Sequence, residues 1–426
     1  PHNAFGSMKG EDHLRSIAEI EEAFPQVIDA QVPGNLELDL VREGVEKKDP
    51  FFGENIYSFH RYESYHAVYY RRFSVPEVRA NADWFLVFEG LDTYAAVYLN
   101  GKPVLEADNM LIPHEADVTA LLQEENELVV HLRPTCIEAR QYPYTPLDGG
   151  LPYNTESMYV RKAPHMYGWD IMPRAVSLGI WRGVRLERRE KTRLEEVYMD
   201  CTAVSGEGGT DSMRLFYRLK TELDYLENME IRFSGICGES RFCETRMVTF
   251  IAGVVYFGIG GARLWWPKNY GDPALYDVKV ELLQNGILLH EKNFSLGIRV
   301  VEIDRTLRDP RGPGDVEEGF CILVNHRPIF VMGTNWVPLD AYHSRDARRL
   351  PEALRLLEES GCNLARCWGG NVYEDHAFFD ACDRMGILVW QDFAMACAFY
   401  PNDPDFLNRI RQETESIVKR LRQHPS

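Results

Sequence analysis

The chain has 426 residues, which is too long for one ordinary domain and predicts about three domains at roughly 150 residues each. Its formal net charge of −18 argues against nucleic acid or an anionic membrane as partner, because both select basic surfaces. The composition, 45% hydrophobic and 26% charged, is that of a globular protein, and the longest uncharged stretch, 247–262, is shorter than the ~20 residues of a membrane helix.

Cysteine usage and the N-terminus bear on the cellular compartment. The nine cysteines include no Cys-x-x-Cys pair, so we interpret them as mostly reduced, in a cytoplasm or in an exported protein that does not rely on disulfides. No basic-then-apolar leader opens the chain, and we predict a cytoplasmic location unless a signal peptide has been removed. Residues 1–7 resemble a cloning scar, because Gly6-Ser7-Met8 is a common junction before a native start, and the fold prediction leaves them out.

Short strand-like runs separated by turns dominate residues 8–190. Asn100-Gly101 predicts a hairpin, because both turn positions tolerate positive φ, and one helix is predicted around 14–23. Many short strands at regular spacing predict a β-sandwich or jelly roll. The predicted strands lie at 65–73, 84–88, 95–99 and 127–132.

A second β block covers residues 191–302, and its strand spacing predicts an immunoglobulin-like β-sandwich. The turn-rich segment 309–314 then predicts a linker or loop. The predicted strands of the second block lie at 197–201, 213–221, 230–234, 247–252 and 275–283.

From about residue 320 the hydrophobic period becomes helical, and strands alternate with helices. Gly361 and Gly386 are predicted as C-caps of the first two helices. This alternation predicts a parallel α/β fold, of which the TIM (β/α)8 barrel is one type. A barrel needs about 250 residues, so residues 303–426 would supply only its first three βα units. Strands are predicted at 328–332, 363–368 and 387–393, and helices at 346–360, 375–385 and 405–422.

The three predicted strand ends carry aromatic and polar side chains. Asn335 and Trp336 lie at the first end, Trp368 at the second, and Asp392 beside Trp390 at the third. In a barrel, functional groups lie at the C-terminal ends of the strands. Aromatic rings can stack on the C–H faces of a sugar, and amide and carboxylate groups can accept hydrogen bonds from its hydroxyls. For any single tryptophan, packing inside the barrel is the alternative to a role in sugar binding.

A further aromatic cluster occupies residues 165–174 of the first β block and includes Trp169 and Asp170. One interpretation is a structured loop closed by a salt bridge between Asp170 and Arg174. The other is a loop that reaches from one domain into the active site of another.

The sequence predicts no metal ion and no nucleotide cofactor. It contains no His-x-x-x-His, Cys-x-x-Cys or Gly-x-Gly-x-x-Gly spacing. Asp375, Asp380 and Asp383 lie along one predicted helix and are interpreted as its solvated face.

Motifs from about residue 33 to residue 426 resemble the β-mannosidase-like branch of glycoside hydrolase family 2. The first β block carries Phe88-Glu89-Gly90-Leu91-Asp92-Thr93, Leu99-Asn100-Gly101 and Gly179-Ile180-Trp181-Arg182. The most specific motifs are those of the strand ends, Gly333-Thr334-Asn335-Trp336-Val337-Pro338, Arg366-Cys367-Trp368-Gly369-Gly370 and Trp390-Gln391-Asp392-Phe393.

The resemblance implies a jelly-roll sugar-binding domain at 8–190, an immunoglobulin-like β-sandwich at 191–302 and the first part of a TIM-barrel catalytic domain at 303–426. It implies a retaining exo-β-glycosidase that removes a terminal β-linked sugar from an oligosaccharide, without a cofactor. Asp170 and Asp392 would accept hydroxyl hydrogen bonds and Trp368 would stack on the sugar. The expected substrate-binding residues are Trp169, Asp170, Asn335, Trp336, Trp368 and Asp392. Asn335 and Trp336 either line the site or support only its floor.

Two departures from the family pattern limit this expectation. The family loop Trp-Asp-Trp-Gly-Pro reads Trp169-Asp170-Ile171-Met172-Pro173 here, which leaves the sugar open between mannose and glucosamine or galactose. The sequence stops before the family's Asn-Asn-Glu, whose Glu is the general acid/base, and before the nucleophile Glu. Retaining hydrolysis needs two carboxyl groups about 5–5.5 Å apart, so we predict that this chain alone is inactive. The alternative from another class is a non-catalytic carbohydrate-binding protein that uses the jelly roll alone.

Overall fold

The computed structural model describes residues 2–6, 14–24, 27–75, 82–150, 155–205, 209–305 and 319–426. These residues form two β-sandwiches, a small antiparallel sheet and a parallel α/β unit. The predicted linker at 309–314 lies outside the described ranges. Within those ranges, no helix is long and apolar enough to cross a membrane.

The first β-sandwich contains nine strands, β1 (His2–Gly6), β2 (Val27–Asp29), β3 (His66–Ser74), β4 (Ala82–Phe88), β5 (Tyr94–Leu99), β6 (Lys102–Ala107), β7 (His114–Asp117), β8 (Glu125–Arg133) and β9 (Val184–Glu190). It also contains the helices α1 (Ile17–Ala23), α2 (Leu36–Arg42) and α3 (Thr135–Glu138). A six-stranded sheet, β2-β1-β3-β8-β5-β6, packs on a three-stranded sheet, β7-β4-β9, through one apolar core. The predicted hairpin is confirmed, because Asn100 and Gly101 turn between β5 and β6 with φ of 52° and 74°.

The N-terminal segment departs from the prediction. The fold prediction leaves out residues 1–7, yet β1 pairs antiparallel with both β2 and β3. A free sheet edge can pair with almost any backbone, so the side-chain pattern of this segment gave no signal. Leaving it out of the fold is therefore wrong, whereas its origin as a cloning scar stays a prediction.

The second β-sandwich contains β10 (Arg193–Ala203), β11 (Thr210–Lys220), β12 (Met229–Cys237), β13 (Ser240–Met247), β14 (Ala252–Gly260), β15 (Tyr276–Gln284) and β16 (Ile287–Leu296). Its sheets, β10-β11-β14 and β13-β12-β15-β16, share one apolar core. The predicted strand at 247–252 is wrong. This apolar run is the connection between β13 and β14, in which Val248 is buried while Phe250 and Ile251 are exposed.

The remaining elements are an antiparallel sheet, β17 (Val301–Asp304), β18 (Cys321–Val324) and β19 (Arg327–Ile329), and a parallel sheet, β20 (Gly333–Trp336), β21 (Leu364–Cys367) and β22 (Leu388–Gln391). Three helices accompany the parallel sheet, α4 (Asp346–Glu359), α5 (His376–Met385) and α6 (Pro404–Leu421). The predicted buried strand at 328–332 is wrong beyond Ile329, because Pro328 and Ile329 belong to β19 and the chain enters β20 only at Gly333. Phe330 between them is largely exposed, so apolar character alone misled the prediction.

The predicted ends of two helices are confirmed, but the predicted solvent exposure of one face of α5 is not. Gly361 and Gly386 adopt φ of 76° and 71° after α4 and α5, which confirms the predicted C-caps. Asp383 on α5 is buried rather than solvated. Its carboxylate accepts hydrogen bonds from His424 Nδ1 at 2.6 Å and from Ser426 N at 3.0 Å. The hydrophobic periodicity of α5 does not indicate this contact with a distant segment.

A buried ion pair joins the first sandwich to the α/β unit. The Arg161 guanidinium donates to Glu413 of α6 at 2.7 and 2.8 Å, and both side chains are buried. Tyr373 Oη and Asn109 Nδ2 donate to the same carboxylate at 2.8 and 3.0 Å. Burial alone would raise the pKa of Glu413, but Arg161 and these hydrogen bonds lower it. The two units therefore meet in one defined geometry.

Candidate functional site

Residues 165–174, here called the junction loop, extend from the first sandwich to the α/β unit. The His165 N–H donates to the Gly370 carbonyl at 3.0 Å, just past the end of β21. At the other end of the loop, Arg174 is ion-paired with Glu63 at 2.7 Å. The loop is held at both ends, which agrees with the interpretation that it reaches into the site of another domain.

Two tryptophans meet where the junction loop contacts the α/β unit. Trp169 and Met172 exchange backbone hydrogen bonds of 3.0 and 3.4 Å, and this tight turn leaves Trp169 half-buried and Asp170 exposed. The Trp169 and Trp368 rings lie 4.9 Å apart between centroids, at 65°. Trp368 in turn covers Gly370, where a Cβ would lie 2.0 Å from the indole. Aromatic side chains from two separate units thus form one surface.

A polar cluster lies at the same strand ends. The Asp392 carboxylate accepts hydrogen bonds from Arg366 Nη2 at 2.7 Å and from Gly369 N at 3.2 Å. Arg366 Nη1 also donates to Asn335 Oδ1 at 3.3 Å. An ionised carboxylate has about four acceptor positions, so half-buried Asp392 keeps capacity for a ligand hydroxyl.

Trp336 lies in the core rather than on this surface. Its side chain is buried, its ring packs 4.8 Å from Phe378, and its Nε1 donates to Glu374 Oε1 at 2.9 Å. Successive residues of a strand point to opposite faces, so Trp336 and Asn335 cannot both face a ligand. Of the two roles expected for Trp336, lining the site or supporting its floor, the geometry fits the second.

Glu374 is a buried carboxyl beneath the site that the sequence analysis did not single out. Burial raises the pKa of Glu374 to about 7, and nearby Asp346 adds to the shift. The hydrogen bond from Trp336 opposes it. Glu374 belongs to Tyr373-Glu374-Asp375, which also resembles the β-mannosidase-like branch, but its burial could not be predicted because it results from tertiary packing after the chain leaves β21.

Arg366 was also missed, although the sequence contains a signal for it. In the register of the parallel sheet, Asn335 lies opposite Arg366 and Arg366 opposite Trp390, so the three side chains share one face. The neighbouring Ala365 and Cys367 belong to the core under the helices. Alternation along β21 was therefore sufficient to place Arg366 on the face of Asn335.

The assembled site is suited to binding a polyhydroxylated ring. Trp169 and Trp368 offer aromatic surface for C–H faces, and Asp170 and Asp392 offer acceptors for hydroxyls. The Asp392 carboxylate is held in place by three hydrogen bonds, two from Arg366 and one from Gly369 N. The arrangement is suited to orienting a sugar.

Two family models match the chain. The model described as "Glycosyl hydrolase 2 galactose-binding domain-like" matches residues 13–182, and "Glycosyl hydrolases family 2" matches residues 238–299. These matches fall on an architecture of a sandwich, a second sandwich and an α/β unit, with an aromatic surface at the strand ends of the α/β unit. Over these two regions the chain resembles glycosyl hydrolase family 2.

Curated relatives agree with this family over most of the chain. It is 36% identical to β-mannosidase B of Thermothelomyces thermophilus over 408 residues, 93% of this chain and 46% of that protein. It is 33% identical to β-mannosidase B of Aspergillus clavatus, again over 93% of this chain and 46% of the relative. The chain spans about half the length of the curated relatives it matches.

Solved structures share the fold across the whole chain. The crystal structure of β-D-mannosidase from Dictyoglomus thermophilum matches with a TM-score of 0.85 and 33% identity, over 100% of this chain and 50% of that one. The exo-chitosanase of Amycolatopsis orientalis matches with a TM-score of 0.72 and 18% identity, over 100% of this chain and 48% of that one. At this lower identity, the match to the exo-chitosanase is evidence for the fold alone.

Proposed function

We propose that this chain is part of a retaining exo-β-glycosidase of the β-mannosidase type, which hydrolyses non-reducing terminal β-linked sugars. The observation that carries the proposal is the contact between Trp169 and Trp368, because it unites a loop of the first sandwich and a strand end of the α/β unit in one sugar-sized aromatic surface. The relatives named β-mannosidase B support the substrate class.

In this proposal the chain binds and orients the terminal sugar. Trp368 stacks on the sugar ring, with Trp169 packed against it. Asp170 and Asp392 accept hydroxyl hydrogen bonds, and Arg366 keeps Asp392 in place. Asn335 contributes a polar edge, whereas Trp336 supports the floor.

The chemical step requires two further carboxyl groups. In a retaining mechanism one carboxylate attacks the anomeric carbon, while a carboxylic acid protonates the leaving oxygen and later activates water. We assign neither role to a residue of this chain, and propose that both groups come from the part of the protein that corresponds to the unmatched half of the relatives. The chain alone would then bind sugar without turnover.

The domain boundaries and the barrel belong to the same proposal. We assign residues 8–190 to a jelly-roll domain, 191–302 to an immunoglobulin-like domain and 303–426 to the start of a TIM (β/α)8 barrel. The parallel order of β20, β21 and β22, with a helix after each strand, supports the last assignment. The nine free cysteines support a cytoplasmic location.

Replacing Asp170 or Asp392 by Ala in the full-length protein tests these roles. We expect kcat/KM for an aryl β-mannoside to fall at least ~10-fold, because a hydrogen bond to a charged group is worth about 1.5–3 kcal/mol. Asp224→Ala, which removes an exposed acid of the second sandwich, is the matched control and should retain wild-type kcat/KM. Wild-type rates in both site variants would refute the assignment.

A further inference from the structure

A cavity of about 340 Å³ lies between the first sandwich and the α/β unit. Its walls are residues 50–57, which lead into the 3-10 helix Asn55–Ser64, Met172 and Pro173 of the junction loop, and residues 339–341 after β20. Ligand pockets typically measure about 300–1,000 Å³, so the cavity is large enough for a small ligand. Met172 closes the tight turn that carries Trp169, so the cavity and the proposed terminal-sugar site share one turn.

Two exposed aromatic rings line this cavity. Phe51 is 43% and Tyr57 is 59% exposed, although burial of such side chains would be favourable. Phe51 is fixed in place, because the Arg345 guanidinium lies 3.9 Å from its ring centroid and the Tyr342 ring contacts it at 5.7 Å. The aromatic wall is therefore held in position before any ligand binds.

Charged groups of both signs complete the lining. The buried Asp340 carboxylate lies 2.7 Å from Arg349 Nε and accepts from Tyr342 N at 3.0 Å. Arg349 is half-exposed, and Glu54 lines the wall as well. Because Arg349 is ion-paired with Asp340, the guanidinium and carboxylate groups of the lining can bind the hydroxyls of a neutral ligand.

We propose that this cavity is a second sugar-binding subsite, which holds a neutral sugar unit of an oligosaccharide next to the terminal unit. The inference rests on the proposed function, because the terminal unit occupies the surface of Trp169 and Trp368. The proposed subsite means that residues 50–57 of the first sandwich recognise the remainder of the substrate. Tyr57 provides the ring on which this second sugar stacks. The same enzyme would thus prefer oligosaccharides to simple glycosides.

Titration calorimetry of this chain with methyl β-mannoside and with a β-linked mannotriose tests the subsite. We expect Tyr57→Ala to weaken mannotriose binding about 5-fold and to leave the methyl glycoside within about 2-fold, since an aromatic contact is worth ~0.5–1.5 kcal/mol. Tyr57→Phe keeps the ring and should retain wild-type affinity for both. Phe52→Ala is the matched control, because Phe52 is 76% exposed next to the cavity but does not line it.

The outcomes separate this inference from the function on which it rests. If Trp169→Ala weakens both ligands while Tyr57→Ala weakens neither, the second subsite is refuted and the terminal-sugar site stands. If wild-type affinities for the two ligands are equal, or if Phe52→Ala matches Tyr57→Ala, the subsite is refuted as well. If neither ligand binds, or if Trp169→Ala has no effect on either, the proposed function itself fails.

Discussion

Gly370 determines how closely the backbone approaches the Trp368 ring. A Cβ at this position would lie 2.0 Å from the indole, well inside van der Waals contact. The carbonyl of the same residue accepts the His165 N–H at 3.0 Å, so one position fixes both the ring and the junction loop. Any side chain here must displace the ring that forms the proposed sugar surface.

Gly370→Ala should therefore weaken sugar binding at least ~10-fold, because overpacking typically costs about 1–3 kcal/mol and here it moves Trp368. The measurement is titration of the chain with methyl β-mannoside, followed by tryptophan fluorescence. Gly183→Ala is the matched control, since a Cβ there meets no atom within 4 Å. Unchanged affinity in Gly370→Ala would show that Trp368 takes no part in the site.

At the residue scale, the sequence predicted which residues form the site better than it predicted how they are arranged. The motifs pointed to Trp169 and Trp368, and these rings are in contact. The same reasoning left open whether Asn335 and Trp336 line the site or support its floor, and the alternation of the strand favours the floor for Trp336. The raised pKa of Glu374 could not be predicted from the sequence, because it results from burial that only the folded chain creates.

At the element scale, two histidines connect the junction loop to the first turn of α4. His343 Nδ1 lies 2.6 Å from Asp346 Oδ2, and its Nε2 lies 2.7 Å from His165 Nε2. Burial lowers the pKa of His165 well below its ordinary value, and the neighbouring charges of His343 and Lys162 lower it further.

This pKa shift predicts that stability falls as the pH drops below ~6.5. His165 in the unfolded chain takes up a proton near pH 6.5, whereas the folded protein keeps it neutral, so protons favour unfolding. Between pH 7 and pH 5.5 this group should cost about 1 kcal/mol. The urea midpoint of His165→Gln should therefore decrease less than that of the wild type over this range.

The control for the pH experiment is His326→Asn. His326 is exposed, its 2.7 Å contact with Glu302 is a surface contact of small energy, and Asn tolerates its φ of 62°, so this variant should keep most of the wild-type pH dependence. Equal decreases of the urea midpoint in wild type and His165→Gln would contradict the account of the histidine pair.

Turns and helix ends that depend on a few neighbouring residues could be predicted from the sequence. Strands that depend on pairing with distant segments could not. The helix ends at Gly361 and Gly386 and the turn at Asn100-Gly101 depend on local φ values, and each was predicted. The apolar runs at 247–252 and 328–332 look like buried strands, yet each connects two strands of the fold. Only the pairing of whole strands decides which apolar residues are covered.

At the scale of the whole molecule, the account depends on how the first sandwich meets the α/β unit. The ion pair of Arg161 and Glu413 joins residues 252 positions apart. The junction loop, the tryptophan contact and the 340 Å³ cavity all lie between the same two units. Neither unit alone contains the complete site, which explains why no single stretch of sequence revealed it.

The most direct test of the central claim is hydrolysis by the full-length protein. Aryl β-mannoside, β-glucosaminide and β-galactoside would be compared, and the anomer released first would be identified by NMR. We predict that the β-mannoside is cleaved with the highest kcat/KM and that β-mannose appears first, since a retaining mechanism conserves the anomeric configuration. Failure to cleave any of the three, or release of the inverted anomer, would contradict the account.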